Sequence, residues 1–134
     1  RALQNNSHGY VLLLSVIVVG VVSGSIAGTI LLFGIGSSRS ALATQQGMNA
    51  REVANSCAQE VLEQLIQDTA YTGGEELLFE NGTCTVAPVS GSGDSNRVVQ
   101  VTGVSGDSTR RMEVMVTTVG PPMVIASWQE VVEF

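Results

Sequence analysis

The sequence predicts an α+β fold: a long N-terminal α-helix, apolar in its first half and amphipathic in its second, packed on a small antiparallel β-sheet. Three observations carry this. Tyr10–Gly36 holds no charged residue and consists mostly of Val, Ile, Leu and small residues. Ala50–Ile66 repeats its apolar residues at helical spacing. After Gly73-Gly74 the chain changes to short runs rich in Val, Thr and Met, separated by Gly, Asn and Asp, which is the punctuation of strands and turns.

Taken in order, residues 1–9 form a short polar segment, in which Asn5, Asn6 and Ser7 are good N-cap types and place the helix start near Ser7. Residues 10–36 follow as the apolar helix. At 1.5 Å per residue this stretch extends about 40 Å, more than the roughly 30 Å hydrocarbon core of a bilayer. It is too long for the apolar region of a cleavable secretory signal, and no strongly basic segment precedes it. A domain of this size has nowhere to bury such a rod on all sides, so it belongs in lipid or in a bundle of its own kind. Gly20, Gly24 and Gly28 recur every fourth residue, with Ser23 and Ala27 beside them. Small residues at that spacing let helix backbones approach closely, and glycine is also simply common in membrane helices.

Residues 37–70 continue as an amphipathic helix. Ala50, Val53, Ala54, Cys57, Ala58, Val61, Leu62, Leu65 and Ile66 form one apolar stripe, while Arg51, Glu52, Gln59, Glu60, Glu63, Gln64 and Gln67 fill the other face. Gly47 is the weak point, but a lone glycine need not end a helix. One continuous helix of about sixty residues would be about 90 Å long. Thr72–Gly74 ends it with glycines.

Residues 71–134 read as an antiparallel β domain. Leu77–Glu80 and Thr83–Val89 flank Asn81-Gly82, a hairpin signal. An internal repeat follows, SGDSNR at 92–97 and SGDSTR at 105–110, each copy preceding a strand, Val98–Val104 and Met112–Val119. Gly120-Pro121-Pro122 interrupts the sheet, and Met123–Phe134 returns as a last strand or docked tail anchored by Trp128. One face of such a sheet needs a cover, and the Ala50–Ile66 stripe is the best candidate.

Composition excludes several functions. Six basic residues, all Arg, face twelve acidic ones, for a net charge of −6, which argues against nucleic-acid binding by bulk charge. The adjacent pair Arg110-Arg111 reads as strand-edge charge. Cys57 and Cys84 lack metal-ligand spacing, and the single histidine, His8, lies beyond the apolar run, so no metal site is expected. Beside an export-type segment the two cysteines read as a disulfide, formed in an oxidising compartment, that would staple helix to sheet and add about 3–4 kcal/mol of stability. Two reduced, buried thiols are the alternative. The disulfide reading puts the C-terminal part outside the membrane. No catalytic arrangement is visible: the serines of the β region have no histidine near them, Glu75-Glu76 reads as a solvated pair, and the Asp94 and Asp107 loops lack the ligand density of a calcium loop. Neither an enzyme nor a cofactor is expected. Asn81-Gly82-Thr83 and Asn5-Asn6-Ser7 match the N-glycosylation sequon, with Asn81 also explained by the turn.

Gly9-Tyr10 followed by VLLLSVIVVGVV, then the amphipathic helix and the small sheet with its disulfide, resembles the type IV pilin and pseudopilin family. The plan covers about His8 to Phe134, and the motif itself residues 9–36. The resemblance implies an apolar helix that is first a membrane anchor and later a filament core, together with a dedicated assembly machinery. Three features depart from the family. Leu14 stands where members usually carry a glutamate, residues 1–9 are present where cleavage after Gly9 would remove them, and the disulfide ties helix to sheet. Register between copies would then come from shape, with Gly20, Gly24 and Gly28 as the packing ridge.

The expected function is that of a structural subunit of an extracellular type IV pilus-like filament, a homo-polymer in adhesion or surface contact, drawn from a cytoplasmic-membrane pool. The second expectation is a non-polymerising, membrane-anchored binding module or minor pilin of a secretion or uptake machine. An exposed apolar patch on the β domain would favour the second.

Overall fold

A computed structural model describes the backbone from Asn5 and the side chains from Gly9, in each case to Phe134. The capping, the first sequon and the histidine of the N-terminal segment concern side chains outside the described residues. The fold is α+β. Helix α1 (Asn5–Gln67) is followed by strands β1 (Glu76–Phe79), β2 (Gly82–Val86), β3 (Ser90–Ser92), β4 (Ser95–Ser105), β5 (Ser108–Thr118) and β6 (Val124–Val131). The helix includes Asn5, two residues ahead of the expected start. It runs without a break through Gly20, Gly24, Gly28 and Gly47.

The chain forms two compact units, one up to Ala41 and one comprising Leu42–Phe134. The division therefore falls inside the helix. The last part of α1 belongs with the sheet, which has no separate core of its own.

In the unit Leu42–Phe134 the sheet is antiparallel, in the order β1-β2-β4-β5-β6, and β3 also pairs with β4. β2 lies opposite Val101–Val104 and β3 opposite the first residues of β4, so the two share one edge of that strand in succession. The sequence suggests a single strand over Thr83–Val89; it breaks because Pro88 has no amide hydrogen to give a ladder. Instead Ala87 donates to the Gln100 carbonyl at 2.9 Å and Val89 to the Thr72 carbonyl at 2.9 Å.

The internal repeat has a direct structural meaning. Ser92 faces Ser95 and Ser105 faces Ser108, so Gly93-Asp94 and Gly106-Asp107 are two-residue hairpin turns. Gly93 and Gly106 have φ of 70° and 56°, the left-handed conformation that a glycine-first hairpin turn requires. The same turn chemistry thus joins β3 to β4 and β4 to β5. The Asn81-Gly82 hairpin is displaced by one residue from the sequence expectation. Phe79 pairs with Gly82, so Glu80-Asn81 form the turn and Gly82 opens β2. Gly82 is needed there for space: a Cβ would stand 2.1 Å from the Val104 carbonyl oxygen.

The core lies between α1 and the inner face of the sheet. Ala50, Val53, Ala54, Cys57, Ala58, Val61, Leu62 and Leu65 are buried against Cys84, Val86, Val99, Val101, Met112, Val114 and Val116. Full burial of a residue such as Val61 or Leu65 contributes about 1.5–3 kcal/mol relative to exposure. Ile66, expected on the stripe, is exposed. Leu62 and Leu65 take the sheet-facing positions of the last turn, and one residue, or 100°, further on the side chain stands on the flank. Helix and sheet approach closely at Gly103, where a Cβ would lie 2.5 Å from the Ala50 carbonyl oxygen and 2.9 Å from the Ala54 Cβ.

Cys57 and Cys84 are disulfide-bonded across this interface. A cis Pro121-Pro122 bond lies between β5 and β6. β6 confirms the last strand: Trp128 packs against the core, and its Nε1 donates to the Asn55 Oδ1 at 3.2 Å.

Candidate functional site

The feature that sets this chain apart is the surface of α1 before Ala41. From Tyr10 to Ile35 the large apolar side chains are exposed, among them Leu12, Val16, Ile26, Leu32 and Phe33. The helix is long and apolar enough to cross a membrane. Leu14, at the position where the resembled family carries an acid, is one more apolar exposed residue.

Four of its hydroxyl side chains are turned back onto the helix itself. The Ser15 hydroxyl donates to the Leu12 carbonyl at 2.8 Å, Ser25 to Val21 at 2.6 Å, Thr29 to Ile26 at 2.8 Å and Ser38 to Gly34 at 3.0 Å. These four hydroxyl hydrogens are consumed within their own helix, which lowers the cost of taking this surface into lipid or a dry helix bundle. A Cβ at Gly20, Gly24 or Gly28 would meet nothing within 4 Å. These three glycines have no packing role inside the single chain, and the room they leave is open on the outside.

The unit Leu42–Phe134 holds the polar residues that the sequence singles out. Asp94 and Asp107 sit in turns at opposite ends of the eleven-residue strand β4, roughly 35 Å apart at strand rise, so they cannot share a cation. Among the described residues no group of three or more His, Cys, Asp or Glu side chains lies together. Glu75 and Glu76 divide: Glu75 accepts a short hydrogen bond from the Tyr71 hydroxyl, while Glu76 begins β1. Burial first, and then the bond to Glu75 and its charge, push the Tyr71 phenol well above its ordinary range.

Arg97 was not legible from sequence. It is 3 % exposed, and its guanidinium donates to the carbonyls of Thr69 at 2.7 Å, Tyr71 at 3.0 Å, Gly93 at 3.1 Å and Ser90 at 3.2 Å. A buried cation is tolerated when its hydrogen bonds are made, and this one gathers carbonyls just beyond the C-terminal end of α1, where positive charge is favoured. The second copy of the repeat ends in Arg110, also on the helix-facing side of the sheet but at its other end, over Gly47. Arg110 is half exposed and pairs with Glu130 at 2.8 Å, with Arg51 on the same carboxylate at 3.6 Å. The reading of Arg110-Arg111 as strand-edge charge is corrected, since β5 lies between β4 and β6; Arg111 donates to the Val132 carbonyl at 2.7 Å. The repeat therefore supplies a cation to each end of the helix–sheet interface. Its spacing was visible in the sequence, but the alternation that turns both arginines inward needs the strand register.

Comparison with known proteins finds nothing that matches this chain, whether among protein-family models, curated proteins or solved structures.

Proposed function

We propose that the chain is a structural subunit of an extracellular, type IV pilin-like filament, polymerising through its apolar helix after a stage in the cytoplasmic membrane. The observation that supports this most is the wholly uncovered apolar surface from Tyr10 to Ile35. Such a surface is stable only in lipid or against other copies of itself. A heterologous contact between copies propagates into an open helical polymer. The hydroxyls of Ser15, Ser25 and Thr29, satisfied within the helix, and the open row at Gly20, Gly24 and Gly28 suit a close, dry contact between helices. The disulfide suits an oxidising exterior.

The second reading, an anchored module or minor pilin, has one observation in its favour. Met115, Val124 and Ile125 are exposed apolar residues on the paired strands β5 and β6, and exposed apolar residues on the β domain are what a partner site would use. Material sheared from cells, examined by negative-stain electron microscopy and mass spectrometry, separates the two. Thin fibres composed of this chain are expected. Recovery only from the membrane fraction, without fibres, would replace the filament with the anchored module.

A further inference from the structure

One motif is left without a role by the fold. Asn81-Gly82-Thr83 fits the acceptor sequence for an N-linked glycan, but an Asn-Gly pair in a hairpin is ordinarily explained by its turn. Here that explanation fails. Asparagine is favoured in such turns for its tolerance of positive φ, and among the described non-glycine residues positive φ occurs at Asn96. Gly82 is fixed by the close approach of the Val104 carbonyl. Asn81 is exposed at the tip of the β1–β2 hairpin, and its conformation does not call for asparagine.

The surroundings add a second observation. Leu78 pairs with Thr83, Thr83 with Val104 and Val104 with Thr109, so these four form one row across the outer face of the sheet. Leu78, at the end of that row, is 81 % exposed and stands beside the hairpin tip. The apolar C–H face of a sugar would cover it, while the hydroxyls of the same sugar stay in water.

We infer that Asn81 is a glycosylation site, modified by an N-linked oligosaccharide that lies over Leu78. The inference rests on the reading that places Leu42–Phe134 outside the cytoplasmic membrane, where a transferase can meet it. The donor is an oligosaccharide linked to a lipid through diphosphate. The Asn81 Nδ2 forms a bond to the anomeric carbon as the bond from that carbon to the diphosphate oxygen breaks. The lipid diphosphate leaves, and one Nδ2 proton passes to a base of the transferase. Thr83 is the hydroxyl residue that the acceptor sequence requires.

The test uses the full chain isolated from the cells that make it. Its peptides are mapped by mass spectrometry, alongside its thiol state and its cleavage by protease added to intact cells. The expected result is a sugar mass increment at Asn81, lost in Asn81→Gln and in Thr83→Val and kept in Thr83→Ser, with disulfide and export unchanged in all three. An unmodified Asn81, or only the one-dalton gain of a deamidated asparagine, in a chain that is exported and disulfide-bonded, overturns the glycan and leaves the exported reading standing. A protease-resistant chain with free thiols overturns both, so the two failures are told apart.

Discussion

Arg97 and Arg110 occupy the same place in the two copies of one repeat but should respond unequally to the same change. Arg97→Met would leave the carbonyls of Thr69, Tyr71, Ser90 and Gly93 without their donor. Hydrogen bonds to a charged group contribute about 1.5–3 kcal/mol, and stranded buried acceptors cost about 1–3 kcal/mol each. We expect a loss of about 3 kcal/mol, measured by urea unfolding of the full chain in detergent. Arg110→Met should cost less than about 1 kcal/mol, because its ion pair with Glu130 is half exposed. Equal losses in the two variants would refute the assignment of Arg97 as the cation that closes the helix end. Gly103 gives a second prediction at this scale. Gly103→Ala drives a methyl group into the Ala50 carbonyl and the Ala54 side chain, and overpacking of this kind costs about 1–3 kcal/mol. The same unfolding measurement checks it, and an unchanged midpoint would mean that helix and sheet separate freely there.

Between elements, the main contact is that of α1 with the inner face of the sheet, covalently fixed at Cys57 and Cys84. Cys57→Ser should lower stability by about 2–5 kcal/mol, seen as a fall in melting temperature that reduction of the wild-type chain reproduces. How much of this was readable in advance follows from range. The stripe from Ala50 to Leu65 and the two Gly-Asp turns depend on neighbours three or four residues away, and both were legible in the sequence. The covering of the sheet by that stripe followed once each element had an apolar face. The break at Pro88, the one-residue displacement of the Glu80-Asn81 turn and the exposure of Ile66 depend on which residue faces which across strands. No local pattern encodes that register. The same holds for Arg97, whose four acceptors come from two segments, the loop after α1 and β3 with its turn. In the candidate site, the apolar run and its glycine row were plain from composition, whereas the self-satisfied hydroxyls of Ser15, Ser25 and Thr29 emerge only with the helix built.

For the whole molecule, the proposed assembly makes one variant decisive. A side chain added at Gly24 meets nothing within 4 Å in the single chain, so Gly24→Leu should leave the fold of Leu42–Phe134 and its melting temperature intact. It should abolish fibres, because the obstruction arises only between copies. Normal fibre yield from that variant, counted by electron microscopy, would remove the glycine row from the packing scheme. The disulfide has a mechanical consequence as well. Tension entering a fibre through the apolar helix and leaving through the C-terminal strands must cross from α1 to β2, and the sulfur–sulfur bond bridges that crossing. The chain between the two cysteines, a separation of 27 residues, is then shielded from the pull. At about 3.5 Å per extended residue, roughly 90 Å of slack is withheld from stretching, so a subunit under load would behave as a short, stiff link until the bond is reduced.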